Sequence, residues 1–118
     1  MAPRATAAEV LKLLGGSYPG GFNATNVGNL LQEADYVIDD YARSHYNTTL
    51  STTDAEVIAI ANNAVVDLIE DAQWLHASPN TRGPRPDVPS KKVMARIDAH
   101  LGNTTYDGSY TGDMVSDT

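Results

Sequence analysis

The apolar positions of this chain recur mostly at steps of three and four residues, which is the period of one helix face. The clearest case is residues 53–77, where the apolar stripe is wide enough to predict a central, largely buried helix. The stripe contains Val57, Ile58, Ala61, Ala64, Val65, Leu68, Ile69, Ala72 and Leu75. Thr53 and Glu56 have capping-box spacing at its start, and Pro79 ends it.

Two helices are predicted before this central helix. Residues 7–14 form a short helix that starts with the capping-box pair Thr6 and Glu9 and ends at two glycines. Residues 25–44 form a long second helix. Its apolar face contains Val27, Leu30, Leu31, Ala34, Val37, Ile38, Tyr41 and Ala42. A helix of about two turns is marginal by itself, so we expect the first helix to pack on a longer one.

A fourth helix is predicted to start near Pro89, since proline suits the first turn of a helix. Its apolar stripe is Val93, Met94, Ile97 and Leu101, and Gly102 is expected to cap its C-terminus. The four segments predict an all-α fold, a small bundle of about four helices with a long central helix and an extended C-terminal tail. Residues 1–102 are expected to form this one helical domain.

Residues 103–118 are predicted to be the extended C-terminal tail. Most of their positions are polar, and the side chains that could dock on another surface are Tyr106, Tyr110, Met114 and Val115. A segment of this composition cannot bury enough apolar surface to fold alone. We therefore expect the tail to be ordered only on assembly, with these four side chains as candidate partner-binding residues.

The segment between the third and fourth predicted helices, residues 78–89, contains four prolines and one glycine. It can be neither a helix nor a central strand, and it is expected to be an extended, fairly stiff loop. The loop carries two candidate partner-binding residues, Arg82 and Arg85. One interpretation is a projecting loop that contacts acidic partners or a nucleic-acid backbone. The other is an ordinary solvated crossover.

Length and composition narrow the class of protein. The 118 residues suit one domain, and the absence of cysteine excludes disulfides and thiolate metal sites. No apolar run approaches the ~20 residues of a membrane span, and the first residues contain no apolar signal core. The net charge is −7, with eleven Asp against four Glu, which resembles the composition of halophilic proteins, and the alternative is a slightly acidic mesophilic domain. Such an acidic chain is disfavoured as a general DNA-binding protein.

The charges are unevenly distributed along the chain. Residues 1–77 carry a net charge of −7, residues 78–103 carry +3, and the last residues add three Asp. An acidic helical body is thus followed by a basic loop and helix and then by an acidic tail. This asymmetry suggests an oriented interface.

Recognisable catalytic and metal-binding motifs are missing. His45, His76 and His100 lie far apart in sequence and have no metal-ligand spacing. The glycine-rich segment 15–23 lacks the ending of a phosphate-binding loop and has no preceding strand, so a loop with turns is predicted there. No serine has a nearby acid–base partner. We therefore expect no enzymatic activity, no cofactor and no metal.

Two polar features lie on predicted helices. Asp35 and Asp39 are four residues apart and face the same way, which could suit a cation or a catalytic pair. A solvated helix face is the favoured interpretation, because charge runs usually face solvent. Asn62 and Asn63 interrupt the central helix, and a buried amide needs a hydrogen-bond partner, which a neighbouring subunit could supply.

Two sequence patterns carry a family resemblance. The opening segment TAAEVLKLLG, and the segment NLLQEADYVIDDYARSHY with Ala34, Ile38, Asp39 and Tyr41 at its centre, resemble signatures of the head–tail connector (adaptor) proteins of long-tailed phages and related archaeal viruses. The order of short helix, glycine-rich loop, long helix, central helix, crossover loop and final helix is also similar. The resemblance covers residues 5–102.

This resemblance implies a structural virion protein. It implies a homo-oligomeric ring of about twelve subunits that binds beneath the portal protein, extends the DNA channel and docks the next neck or tail-completion protein. Genomic DNA would pass through without sequence-specific binding. Arg82 and Arg85 would face acidic neighbours or the DNA, and residues 103–118 would dock on the portal or an adjacent subunit. The protein would be made in the host cytoplasm and reside in the virion neck.

A second class of function is compatible with the same helices. A small cellular helical module for protein–protein interaction, regulatory or antitoxin-like, would bind one or two partners instead of forming a ring. Antitoxins usually carry a helix-turn-helix or a β-ribbon for DNA binding, and neither pattern is visible here. The mass of the native assembly distinguishes the two classes.

Overall fold

The computed structural model of the chain describes residues 2–105, with side chains as far as Gly102. This part of the chain forms four α-helices, α1 (Ala7–Leu13), α2 (Ala24–Tyr46), α3 (Ala55–His76) and α4 (Lys91–Thr105). No strand occurs within it, so the predicted all-α bundle is confirmed. The candidate tail residues Tyr106, Tyr110, Met114 and Val115 lie outside the described residues.

The central helix of the bundle is α3, which contacts α1, α2 and α4. Its side chains Val57, Ile60, Val65 and Ile69 are completely buried. Each such side chain contributes about 2 kcal/mol relative to an exposed position, so this helix supplies much of the core energy. The predicted central helix is therefore confirmed, but its apolar stripe ends early, because Leu75 is 50% exposed.

The other helices each contribute one buried face. These faces contain Val10 of α1, Val27, Ala34, Ile38 and Ala42 of α2, and Val93, Ile97 and Leu101 of α4. Ala5 and Leu50, in the segments before α1 and before α3, complete the core. The short α1 packs on α3 and α2, as expected for a helix too short to be stable alone.

The directions of the helices follow from contacts along α3. The Ser90 backbone N–H, just before α4, donates to Asp67 Oδ2 at 2.9 Å, whereas Arg96, further along α4, contacts Glu56 at 3.0 Å. α4 therefore runs antiparallel to α3. Leu30, near the start of α2, lines the same groove as Ala72 near the end of α3. The C-terminal ends of α3 and α4 thus lie at opposite ends of the bundle.

Three helix ends differ from the predicted ones. The N-cap of α3 is Asp54, whose carboxylate accepts from the backbone N–H groups of Glu56 and Val57, so the predicted Thr53 capping box is wrong. A carboxylate is the better partner here because it also faces the positive end of the helix dipole. Gly102 does not cap α4, which continues through it to Thr105. α2 extends to Tyr46 and ends at Asn47 in the left-handed conformation.

The glycine-rich segment after α1 is a loop with turns, as predicted. Gly15 and Gly16 have φ angles of 84° and 96°, a region that side chains disfavour. The Gly16 N–H donates to the Leu11 carbonyl at 2.9 Å, which satisfies one free carbonyl at the end of α1. The loop then leads to Asn23, which caps α2 reciprocally with Asn26.

Candidate functional site

The proline-rich loop 78–89 folds back onto the last turns of α3. The Trp74 indole N–H donates to the Gly83 carbonyl at 2.7 Å. The Arg82 guanidinium lies 3.8 Å above the centroid of the same ring. Trp74 therefore holds the middle of the loop in two ways, by a contact of its ring face and by a hydrogen bond from its N–H. The loop does not project freely.

Arg82 also caps the C-terminus of α3. Its Nη1 donates to the Trp74 carbonyl at 3.2 Å and approaches the Leu75 carbonyl at 3.5 Å. These carbonyls belong to the last turn, where the helix dipole favours a positive charge. The guanidinium is thus satisfied by backbone and ring contacts within its own chain.

Arg85 forms an ion pair with Asp71, which lies on α3 about one turn before the carbonyls that Arg82 contacts. Its Nε and Nη2 donate to the two carboxylate oxygens of Asp71 at 2.8 and 3.1 Å, a bidentate geometry. The hydrogen bonds from Arg85 lower the pKa of Asp71, although burial opposes this shift. The Arg85 side chain remains 56% exposed. The structure therefore brings both predicted loop residues, Arg82 and Arg85, to the C-terminal end of α3.

Most of the positive charge of the chain is paired internally. Five basic side chains form ion pairs with carboxylates of the same chain. The pairs are Arg4 with Asp35 and Asp39, Lys12 with Glu9, Arg43 with Asp40, Arg85 with Asp71, and Arg96 with Glu56. Within residues 2–102, Lys91 and Lys92 make no ion pair. Two of the five basic side chains in residues 78–103, Arg85 and Arg96, are thus paired with carboxylates of α3.

The favoured solvated interpretation is wrong for Asp35, which is buried, whereas the Asp39 side chain is 33% exposed. Arg4 lies between the two carboxylates, and its Nη1 donates to Asp35 Oδ1 at 3.0 Å and to Asp39 Oδ2 at 3.2 Å. The side chains of Arg4 and Asp35 are only 6% and 7% exposed. The cation that this pair binds is therefore a guanidinium of the same chain.

Backbone contacts complete the Arg4 site. The Arg4 backbone N–H donates to Asp35 Oδ2 at 3.0 Å, and its Nε and Nη2 donate to the carbonyls of Ser51 and Leu50 at 2.8 and 2.9 Å. Burial lowers the pKa of Arg4, but the hydrogen bonds that its guanidinium donates to Asp39 and Asp35 outweigh this effect and raise the pKa. The site joins the segment before α1, the middle of α2 and the segment before α3.

Asn62 is buried, but its amide is satisfied within the chain. Its Oδ1 accepts from the Thr6 backbone N–H at 3.1 Å, and its Nδ2 donates to the Ile58 carbonyl at 2.9 Å. The predicted need for a partner is therefore correct, but the partner is the segment before α1. A neighbouring subunit is not required to satisfy this group.

Two further carboxylates lie between helices. Asp98 Oδ1 of α4 accepts from the hydroxyls of Tyr41 and Tyr46 of α2, at 2.8 and 2.7 Å. Burial and the hydrogen bond to Asp98 raise the pKa of Tyr41. Asp67 is buried in α3, and burial raises its pKa although hydrogen bonds from Ser90 oppose the shift. Both carboxylates fix the position of α4, a role that the sequence pattern did not indicate.

A groove of about 530 Å³ opens beside the glycine-rich loop, between the start of α2 and the end of α3. Its lining is mainly apolar, from Phe22, Leu30, Ala72 and Ala77, with Asn26, Gln73 and His76 as polar members. His76 is the only titratable side chain in this lining. The groove can therefore hold side chains, but it lacks the paired acid and base of a catalytic site.

The described residues contain no cluster of three or more His, Asp or Glu side chains with the geometry of a metal site. No helix in the same range is long and apolar enough to cross a membrane. Comparison with known proteins found no matching family model, no matching curated protein and no matching solved structure.

Proposed function

We propose that this chain is a structural virion protein, a head–tail connector that forms a ring beneath the portal. In this role it extends the DNA channel and docks the next neck or tail-completion protein. The observation that carries the proposal is the resemblance of residues 5–102 to the connector signatures. The four helices occur in the order that this resemblance implies, with the short α1 and the long α2 preceding a central α3.

The electrostatics of the chain support this proposal. A channel wall has to let DNA pass without holding it, which requires few free cations and a negative net charge. The net charge is −7, and five of the eight basic side chains form ion pairs within the chain. A surface of this kind repels phosphates, and the exposed Asp and Glu side chains also keep it hydrated in concentrated salt.

The experiment that tests the proposal is the native mass of the full chain by light scattering on a sizing column. It is measured in dilute and in multimolar salt, with and without any portal-like protein that is encoded beside it. We expect a closed ring of about twelve subunits, alone or on the portal, since rings are the closed form of head-to-tail contacts. Electron microscopy of the same fractions checks that the particles are annular.

A monomer or dimer under all of these conditions would overturn the proposal. The chain would then belong with the small helical interaction modules, which bind one or two partners. A ring that forms only on the portal would support the connector function and would indicate that the portal templates assembly.

A further inference from the structure

The groove beside the glycine-rich loop is matched by one segment of the same sequence. Its volume, about 530 Å³, falls within the ~300–1,000 Å³ range of binding pockets and is large enough for several side chains. Residues 106–118 contain the apolar side chains Tyr106, Tyr110, Met114 and Val115. The first three are spaced by four residues in sequence.

The chemistry of the two surfaces is complementary. Tyrosine offers a large apolar ring and a hydroxyl, and the groove offers apolar walls with Asn26, Gln73 and His76 as hydrogen-bonding groups. Residues 106–118 carry three Asp and no Lys or Arg. The groove lies at the positive end of the α2 dipole, whose first turn contains no acidic residue. The last turn of α3 lines the same groove, and its dipole has the opposite sign, so the two helix ends do not by themselves favour an acidic segment and the match depends on the apolar and hydrogen-bonding groups.

The arginines of the loop contribute to this match. Asp71, beside the groove residue Ala72, is neutralised by the bidentate contact of Arg85. Arg82 places a guanidinium at the carbonyl of Leu75, next to the groove residue His76. The end of α3 thus repels an approaching carboxylate much less than the net charge of −7 suggests.

The position of α4 argues against binding within one chain. Arg96 contacts Glu56, and α3 rises by ~24 Å between the level of Glu56 and that of Ala72 in the groove. α4 continues beyond Arg96 to Thr105, further from the groove. At ~3.3 Å per residue, residues 106–118 would have to run almost fully extended to reach it. Tyr106 and Tyr110 would then remain outside.

We propose that the groove binds residues 106–118 of a second copy of this chain, so that copies associate head to tail. Each copy then uses two different surfaces, the groove at one end of the bundle and the segment that follows α4 at the other. Such heterologous contacts close into rings when the rotation per subunit allows it. This contact is the subunit contact of the proposed connector ring, and in that respect it rests on the proposed function.

The absence of cysteine from the chain permits a direct test by disulfide cross-linking. Ala72→Cys places a thiol in the groove of one full-length variant, and Ser109→Cys places one among the tail anchors of another. The two proteins are mixed and oxidised mildly, and the mixed dimer is measured on non-reducing gels. The control pairs Ser109→Cys with Lys12→Cys, whose position is 74% exposed and lies on α1. We expect at least about fivefold more mixed dimer with Ala72→Cys, since binding raises the effective concentration.

Two outcomes overturn the proposal. One is a mixed dimer no more abundant with Ala72→Cys than with Lys12→Cys. The other concerns the double variant Ala72→Cys/Ser109→Cys. If this variant forms an intrachain disulfide at high dilution and no interchain product at any concentration, residues 106–118 bind the groove of their own chain.

Charge variants at Gln73 give a second measurement that preserves the fold, because this groove residue is exposed. Gln73→Glu should reduce the yield of the mixed dimer by about two- to fivefold at low salt, and Gln73→Lys should raise it by a similar factor. Equal yields for both variants would overturn the electrostatic part of the proposal. Cross-linking with no closed ring, either alone or on the portal, would refute the connector function and leave the head-to-tail contact standing. A closed ring without the cross-link would refute the contact and leave the connector function standing.

Discussion

Arg82 and Trp74 are stacked, with the guanidinium carbon 3.8 Å from the centroid of the indole ring. This contact joins a loop of four prolines to the last turn of the central helix. The same indole donates to the Gly83 carbonyl at 2.7 Å, so Trp74 holds the loop by two different interactions. The loop is therefore a fixed part of the α3 end.

We predict that Arg82→Ala lowers the free energy of unfolding by about 1 kcal/mol, because it removes the cation–π contact and the C-terminal cap of α3. Urea denaturation followed by the fluorescence of Trp74, the single tryptophan, measures this change. Lys91→Ala is the matched control, since Lys91 is exposed and makes no ion pair within residues 2–102. Equal stability of the two variants would contradict the prediction.

The buried Arg4 site should be much more sensitive than the surface ion pairs. Arg4→Ala leaves the carboxylate of Asp35 buried without its cation, and we predict a loss of about 3 kcal/mol in unfolding free energy. Arg43→Ala removes the exposed pair with Asp40 on the same helix and should cost less than about 0.5 kcal/mol.

A double-mutant cycle checks that the Arg4 loss comes from this pairing. Arg4→Ala/Asp35→Ala should be destabilised by clearly less than the sum of the two single variants, because the unpaired buried charge is gone. Additive losses, measured by chemical denaturation, would show that Arg4 acts through its contacts with the Ser51 and Leu50 carbonyls instead.

The pKa of Asp67 is raised in the folded protein, mainly by burial. Between the unfolded pKa and this raised pKa, the native state binds more protons, so the contribution of Asp67 to stability falls as pH rises. Asp67→Asn keeps an oxygen acceptor for the Ser90 N–H and removes the buried charge. We predict that the stability of Asp67→Asn relative to wild type increases with pH through this window and is constant above it. Urea denaturation at several pH values measures the difference, and a flat difference would contradict the assignment.

Asp71 should show the opposite pH dependence. Its folded pKa is lowered, first by the hydrogen bonds from Arg85, so its contribution is present above the unfolded pKa and is lost as pH falls through the folded pKa. We predict that Arg85→Gln raises the pKa of Asp71 toward its ordinary value. The stability difference between wild type and Arg85→Gln should vanish at low pH. Titration of the Asp71 carboxyl carbon by NMR measures the shift, and an unchanged pKa would refute the Arg85 contact in solution.

Local sequence pattern was sufficient to predict the helices. The period of apolar residues located all four, and the predicted faces of α2 and α4 contain the apolar side chains that are buried, such as Ile38 and Ile97. This works because a helix that buries one face must repeat its apolar residues every three to four positions. Helix ends were less predictable, since Thr53 and Asp54 are both good caps and only the backbone geometry selects Asp54.

The partners of charged residues were decided by tertiary structure. Asp35 looks like a solvent-facing residue in sequence, and it is buried because Arg4, 31 positions earlier, reaches it. Arg82 and Arg85 look like a projecting basic pair, and they are held by Trp74 and Asp71 of the preceding helix. Helix periodicity depends on neighbours within a few residues, whereas an ion pair depends on how whole elements pack. The sequence therefore determined which segments are helical and which faces are buried, and the packing of these segments against one another decided which charges are paired.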